Sequence, residues 1–456
     1  MGGRLETEKV QRYQSTFKPT TNYPFILPLR ESDLLHLAAS NPPCRFSKTL
    51  FLPRLMSKAV KTAETKFFHT GSAQEPFTFA TGAQLPEITV AYETHGKLNA
   101  AKSNAILLFH ALSGSQHAAG VTTEVADTDE RWTEDCHNGW WDLFIGPDKA
   151  LDTKRYYIIC ANYLGGCYGS SGPASINPAT GKPYGSAFPE VRTSDVVKSQ
   201  LALLDSLGIK QLHAVIGASV GGLLAINLAT LHPERVKLVV PIASGCRTTV
   251  LTRLTLFEQV LAIENDPHFR GGNFYDGPAP EYGLALARMI SHKTFVHLDA
   301  IERRARQDVK NGGASLSWYR VQHNVESYML HQGKKFVKRF DANTYLRIAD
   351  MWLRYDPLGD AGVQTYAELF ARSAAAGQHY LVFSIDSDFC FYPEEQAELV
   401  SHLEKAEVSN MHITVHSDKG HDSFLLEPQL YTPHLSFTLD GRWNKGSVDR
   451  PVQEVE

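Results

Sequence analysis

Three residues far apart in the chain, Ser219, Asp388 and His421, are of the types that together turn a hydroxyl into a nucleophile. A serine needs a base to take its proton, and the base needs a carboxylate to orient it. Ser219 lies in Gly217-Ala218-Ser219-Val220-Gly221, the G-x-S-x-G pattern of a nucleophile elbow, where a strand turns tightly into a helix. The pattern is short enough to recur by chance, so its setting decides its weight. Residues 213–217 are apolar and partly β-branched, and 223–230 read as a helix. In elbow enzymes the acid and then the histidine follow the serine, each after the C-terminal end of a strand. Asp388 follows the strand-like run 379–386, and His421 follows the run 411–417. Asp386 competes for the acid role, but it ends the strand pattern whereas Asp388 lies in the turn. Asp418 and Asp422 sit too near His421 in sequence to be its usual orienter. The oxyanion formed on attack needs two N–H donors already in place. Val220, next after the serine, and Leu112, in the loop after strand 104–110, are the expected pair.

The elements that must carry these residues are legible as alternating strands and helices. Strands are expected at 88–94, 104–112, 155–163, 213–217, 236–244, 379–386 and 411–417. Helices are expected at 194–207, with Ser194 as N-cap, at 223–230 and at 393–405. Such alternation indicates a mostly parallel, doubly wound α/β sheet. Between about 246 and 366 the strand signals stop and helical segments follow one another, as in an inserted helical lid. The expected layout is an extension at 1–70, core at 71–245, lid at 246–366, core at 367–440 and a tail at 441–456. The Gly/Pro/Ser/Asn-rich stretch 164–189 reads as a functional loop.

A chain of 456 residues can bury a large core, and a formal charge of −4 gives no electrostatic case for nucleic acid or an anionic membrane. Six scattered cysteines without a C-x-x-C suggest reduced thiols in an intracellular protein. No metal motif is present, and His110 and His117, in a Gly/Ser/Ala loop, read as structural. The run 212–230 is apolar, but its glycines and Ser219 favour a buried strand-turn-helix over a membrane span. Residues 34–63 lack acidic residues and carry several basic ones, a transit-like composition, whereas Glu6, Glu8, Glu31 and Asp33 precede them. The cytoplasm is the expected location, with the mitochondrion as alternative if 1–66 are a transit segment. Met56 is a second candidate start.

Several stretches resemble the homoserine O-acetyltransferase family: HALSGSQHAAG, WWDLFIGP, NYLGGCYGSSGPASINPATGKPYG, GASVGG, FDANTYL and GHDSFLLE. The similarity runs from about Phe77 to about Leu430. It implies an α/β-hydrolase fold with a helical lid, and acyl transfer from acyl-CoA, acetyl-CoA first, to the hydroxyl of homoserine through an acyl-serine. No bound cofactor is implied, only small-molecule substrates, and a homodimer is expected. Position by position, the resemblance makes Ser219 the nucleophile, His421 the base and Asp388 the orienting acid. It assigns Arg288 to the acceptor's carboxylate and Asp422 to its ammonium. One guanidinium and one carboxylate at a fixed separation suit a zwitterion. The sequence departs from the family pattern at Val220, at Ser291-His292-Lys293-Thr294 and at the turn Ser387–Pro393. Relatives acylate serine or use a succinyl donor. An esterase with the same triad is the rival activity, and a binding module on this fold is a further rival.

Overall fold

The computed structural model describes residues 63–308 and 316–444. The N-terminal extension up to residue 62, and with it Met56, lies outside the described residues, as do 309–315 and most of the C-terminal tail.

Among the described residues, eight strands form one sheet. In chain order they are β1 (Lys66–Thr70), β2 (Ile88–His95), β3 (Ala105–Phe109), β4 (Tyr157–Ala161), β5 (Leu212–Ala218), β6 (Val236–Ile242), β7 (His379–Ile385) and β8 (Ser409–Val415). Their order across the sheet is β1-β2-β4-β3-β5-β6-β7-β8. β1 and β2 pair antiparallel, as do β2 and β4, and every other pairing is parallel.

The central strands are buried on both faces, so their residues divide by parity. Ile106 and Leu108 of β3 pack with Ile216, Val240 and Phe383 on one side. Leu107, Phe109, Val215, Val239 and Val382 pack on the other. Both faces are covered by helices, which is why these strands read as unbroken apolar runs. The helix after the elbow, α2 (Val220–Leu231), is buried from Val220 to Thr230, as expected of a helix apolar on all sides. α1 (Thr193–Ser206) and α10 (Pro393–Lys405) also bury a face in the second of these clusters.

Among the described residues, seven α-helices lie between β6 and β7: α3 (Val250–Glu264), α4 (Glu281–Phe295), α5 (Leu298–Asp308), α6 (Asn324–Val337), α7 (Ala342–Leu353), α8 (Pro357–Ala361) and α9 (Tyr366–Ala375). α3 leaves Val250, Leu254, Phe257 and Leu261 on its exposed side, at 75%, 55%, 54% and 42% exposure. After β8 come a short helical turn at Gly420–Asp422, α11 (Ser423–Leu426) and α12 (Pro428–Leu439). Among the described residues no helix is long and apolar enough to cross a membrane.

Two details differ from the sequence expectation. Strand β1 lies inside the stretch read as an extension. Its five residues are exposed or half-buried and form the sheet edge, so they carry little apolar pattern. The start of α1 is not held by Ser194, which lies within the helix. Asp195 caps instead, accepting from the Arg192 N–H at 2.8 Å and, through its other oxygen, from the Ala80 N–H at 2.7 Å.

Candidate active site

Ser219 occupies the turn between β5 and α2 at φ 59° and ψ −131°, a backbone conformation rare for a residue with a side chain. The glycines around it are dictated by space. A Cβ on Gly217 would lie 2.0 Å from the Gly221 carbonyl oxygen, and one on Gly221 would lie 2.4 Å from that of Phe109. A Cβ on Gly222 would meet the Ser244 side chain at 2.4 Å. Strand and helix cross so closely that only hydrogen fits.

Strand register brings the other two residues to the same rim. Ala218 is level with Ile242 of β6, Ile242 with Phe383 of β7, and Ile385 with Val415 of β8. The loops carrying Ser219, Asp388 and His421 therefore leave from one edge. The last two are stapled together, the Gly420 N–H donating to Ser387 Oγ at 3.1 Å.

Asp388 and His421 are both buried, at 2% and 3% exposure, with Nδ1 of the ring 2.6 Å from Asp388 Oδ2. The other carboxylate oxygen accepts from the N–H groups of Cys390 at 2.7 Å and Phe391 at 3.0 Å. With Oδ2 accepting the Nδ1 proton, Nε2 is left as the basic nitrogen. Nε2 is buried and has no hydrogen-bond partner among the described residues. Asp386, the competing acid, instead faces His416 Nδ1 at 2.7 Å and the Ser417 N–H at 3.1 Å, and so ties β7 to the end of β8.

Burial opposes charging His421, but the adjacent Asp388 carboxylate outweighs it, helped by Asp422 and Glu395, and the ring's pKa is raised. The ring is enclosed by Phe391 (5.8 Å between centres), Phe295 (5.8 Å) and Phe424 (5.2 Å), which keep water from it. Trp141 Nε1 donates to the Phe424 carbonyl at 2.8 Å, which ties the WWDLFIGP segment to the histidine loop.

Val220 begins α2, so its N–H is one of the helix-end donors without an intrahelical acceptor. Leu112 is buried in the loop after β3. It lines an apolar cavity with Thr294, Phe295, Phe389 and Cys390. Two of the three departures from the family pattern thus meet in this one cavity.

Arg288, on α4, lies against the rings of Phe336 at 4.9 Å and Phe295 at 5.6 Å. Burial lowers its pKa, the charge of Arg339 lowers it further, and Asp422 works in the opposite sense. Asp422 is raised, chiefly by burial, against the pull of His421 and Arg288. The guanidinium and carboxylate that the family resemblance assigns to the acceptor thus each offset part of the other's cost of burial.

The two loop histidines have defined packing roles. His110 stacks on Tyr163 with 3.7 Å between ring centres, and burial pushes its pKa down to about 4. His117 sits between Glu93 Oε2 at 2.9 Å and the His137 carbonyl at 3.0 Å. Cys246, Glu398 and His402 approach within 4.8 Å, yet Arg247 already holds both Glu398 oxygens at 2.9 Å and burial pushes the thiol up to about 12. That chemistry favours a salt bridge over a metal. Arg339 and Glu395 are the neighbours of the site that pattern reasoning missed. Arg339 directly precedes the FDANTYL motif, which was its available signal.

Sheet order, elbow and acid–histidine pair define the α/β-hydrolase class, and a model of the alpha/beta hydrolase fold matches residues 104–428. A homoserine O-succinyltransferase from Alkalilimnicola ehrlichii is 41% identical over 377 residues, covering 82% of this chain and 94% of that protein. One from Halorhodospira halophila is 40% identical, covering 84% and 96%. Among solved structures, a homoserine O-acetyltransferase from Bacillus anthracis matches with a TM-score of 0.72 and 25% identity, covering 83% of this chain and 98% of that one. Esterase E22 matches with a TM-score of 0.72 and 27% identity, covering 83% and 100%. The chain belongs to the homoserine O-acyltransferase family, acyltransferases built on the α/β-hydrolase fold.

Proposed function

We propose that the protein transfers an acyl group from acyl-CoA to the hydroxyl of L-homoserine through an acyl-Ser219 intermediate, with succinyl-CoA preferred over acetyl-CoA. The observation that carries the mechanism is the buried His421–Asp388 bond of 2.6 Å behind an elbow serine. The donor preference is supported by the homoserine O-succinyltransferases at 40–41% identity, against an acetyltransferase neighbour at 25%.

In the first half-reaction His421 Nε2 takes the Ser219 proton and Oγ attacks the thioester carbon. The N–H groups of Val220 and Leu112 receive the oxyanion. Collapse breaks the C–S bond, and the proton on His421 leaves with the CoA thiol. The acceptor hydroxyl then gives its proton to His421 and attacks the acyl-serine. The second collapse returns that proton to Ser219 Oγ and releases the O-acyl amino acid. Asp388 stays ionised and holds the ring. Arg288 takes the acceptor's carboxylate and Asp422 its ammonium. Water, on the order of tens of molar, competes at the second step, so transfer requires a site that fixes the acceptor hydroxyl near the acyl carbon.

Esterase activity is the second reading, favoured by the likeness to esterase E22. CoA release from succinyl-CoA and acetyl-CoA, each with and without homoserine or serine, separates the two. Acceptor-dependent release with formation of the O-acyl amino acid is expected; acceptor-independent release would favour hydrolysis. Ser219→Ala should abolish both half-reactions. Arg288→Ala should raise the KM for homoserine by at least about tenfold while a single burst of CoA release persists. Equal loss of both would remove its assigned role. We further propose a homodimer joined through the exposed apolar side of α3, and placement in the cytoplasm. A fluorescent fusion of residues 1–66 that entered mitochondria would replace the latter.

A further inference from the structure

A cavity of about 300 Å³ opens between α6 and the loop that follows β3, lined by Ser113, Gly114, His117, Arg288, Phe336 and Arg339 among others. Its charge is unbalanced. Among the described residues Asp135 is the carboxylate on its lining, and Lys335 already holds it at 2.8 Å. The Arg339 guanidinium donates to the Ser113 carbonyl at 3.2 Å and to Tyr168 Oη at 3.3 Å, both neutral acceptors. No carboxylate lies within ion-pair distance of it among the described residues. The Arg288 and Arg339 guanidiniums lie 4.9 and 5.0 Å from the centre of the same Phe336 ring. They are therefore at most about 10 Å apart, within the range where like charges repel even in salt.

Asp422 offsets part of the Arg288 charge, whereas Arg339, with neutral partners beside a second cation, costs free energy until an anion arrives, and a planar fork is the group suited to carboxylate. Homoserine brings one carboxylate, which the proposed function gives to Arg288. A second is present in the same half-reaction only if the acyl group on Ser219 is that of a dicarboxylic acid. We propose that Arg339 binds the distal carboxylate of such an acyl group and is the residue that selects a succinyl over an acetyl donor. This rests on the acyltransferase reading above. It also makes the acyl-enzyme part of the acceptor site, since both guanidiniums, and hence both carboxylates, lie about the one Phe336 ring.

CoA phosphates are the other source of negative charge, and truncated donors separate the two. The experiment measures kcat/KM for homoserine-dependent thiol release from succinyl-CoA, acetyl-CoA and the corresponding N-acetylcysteamine thioesters, which lack phosphate. For Arg339→Gln the succinyl-to-acetyl ratio should fall about 10- to 100-fold on both carriers. Some loss with acetyl donors is expected too, because Arg339 braces the Ser113 carbonyl, and the ratio is therefore the readout. Arg339→Lys, which keeps the charge and loses the fork, should give an intermediate ratio, and it decides the matter if Arg339→Gln does not fold. An unchanged ratio in the folded variants overturns the assignment. So does a loss confined to the CoA donors, which would point to phosphate. A wild-type enzyme that transfers acetyl efficiently but not succinyl overturns it while leaving the acyltransferase reading intact. Absence of acceptor-dependent release from every donor would instead sink that reading.

Discussion

His421 shows how a single ring is tuned by what it touches. Burial in an aromatic cage would lower its pKa, yet the Asp388 carboxylate at 2.6 Å, with Asp422 and Glu395 behind it, raises it above 6.5. A base must be neutral to accept a proton, so the sign follows directly. Below the raised pKa the ring is already protonated and acyl-enzyme formation is lost as pH falls; above it the rate reaches a plateau. The acid limb of kcat/KM for CoA release should therefore lie above the ordinary histidine value. Asp388→Asn removes the carboxylate and leaves the burial, so the limb should move to lower pH while the plateau rate drops about 10³- to 10⁴-fold. A limb that stayed in place would mean that another group titrates there.

At the scale of elements, what the sequence made legible follows how much of each element's job is written into its own residues. The elbow was readable because its steric demands leave only glycine at 217, 221 and 222, and β7 and β8 were readable as strands of ordinary length. The choice between Asp386 and Asp388 rests on Asp386 ending the strand and Asp388 lying in the turn, and the fold supplies the partners of each. β1 was missed because an exposed edge strand of five residues needs no apolar run. Arg339 and Glu395 were missed because their surroundings are assembled from distant segments. Glu395 sits in the first turn of α10, where one oxygen accepts from the Tyr392 N–H at 3.2 Å and the other is buried with no hydrogen-bond partner among the described residues. Burial, with Asp388 nearby, pushes its pKa from 4.5 to about 7. Its folded-state pKa is the higher one. Its contribution to stability is thus full below pH 4.5 and lost as pH rises through about 7. A shift of that size corresponds to roughly 3 kcal/mol. Glu395→Gln should therefore match wild type in thermal stability near pH 5 and exceed it near pH 8; parallel pH profiles would show that the carboxyl is not titrating in this window.

Over the whole molecule, the helical layer between β6 and β7 has two sides to account for. Its inner side supplies Arg288, Thr294, Phe295, Phe336 and Arg339 to the cavities at the sheet rim. Its outer side includes α3, where Val250, Leu254, Phe257 and Leu261 recur at steps of four, three and four residues. That is the spacing of a helix seam, not of residues scattered on a wetted surface. Tyr282 and Leu286 on α4, which packs against α3, are exposed at 72% and 40% and continue the apolar area. A seam on one helix of a packed pair is self-complementary when a second copy is turned through a two-fold axis, giving four helices around one apolar layer. An arrangement of this kind would hold the outer side of α3 rigid, and through α4 it would fix Arg288. Leu254→Asp with Phe257→Asp should convert the proposed dimer to a monomer in light scattering coupled to size-exclusion chromatography. The monomer should keep its fold, because neither side chain belongs to the buried clusters. Its KM for homoserine should rise more than its burst of CoA release falls, since α4 is placed against α3. A wild-type protein that is monomeric at micromolar concentration, or a double variant that remains dimeric, would show that α3 serves some other contact.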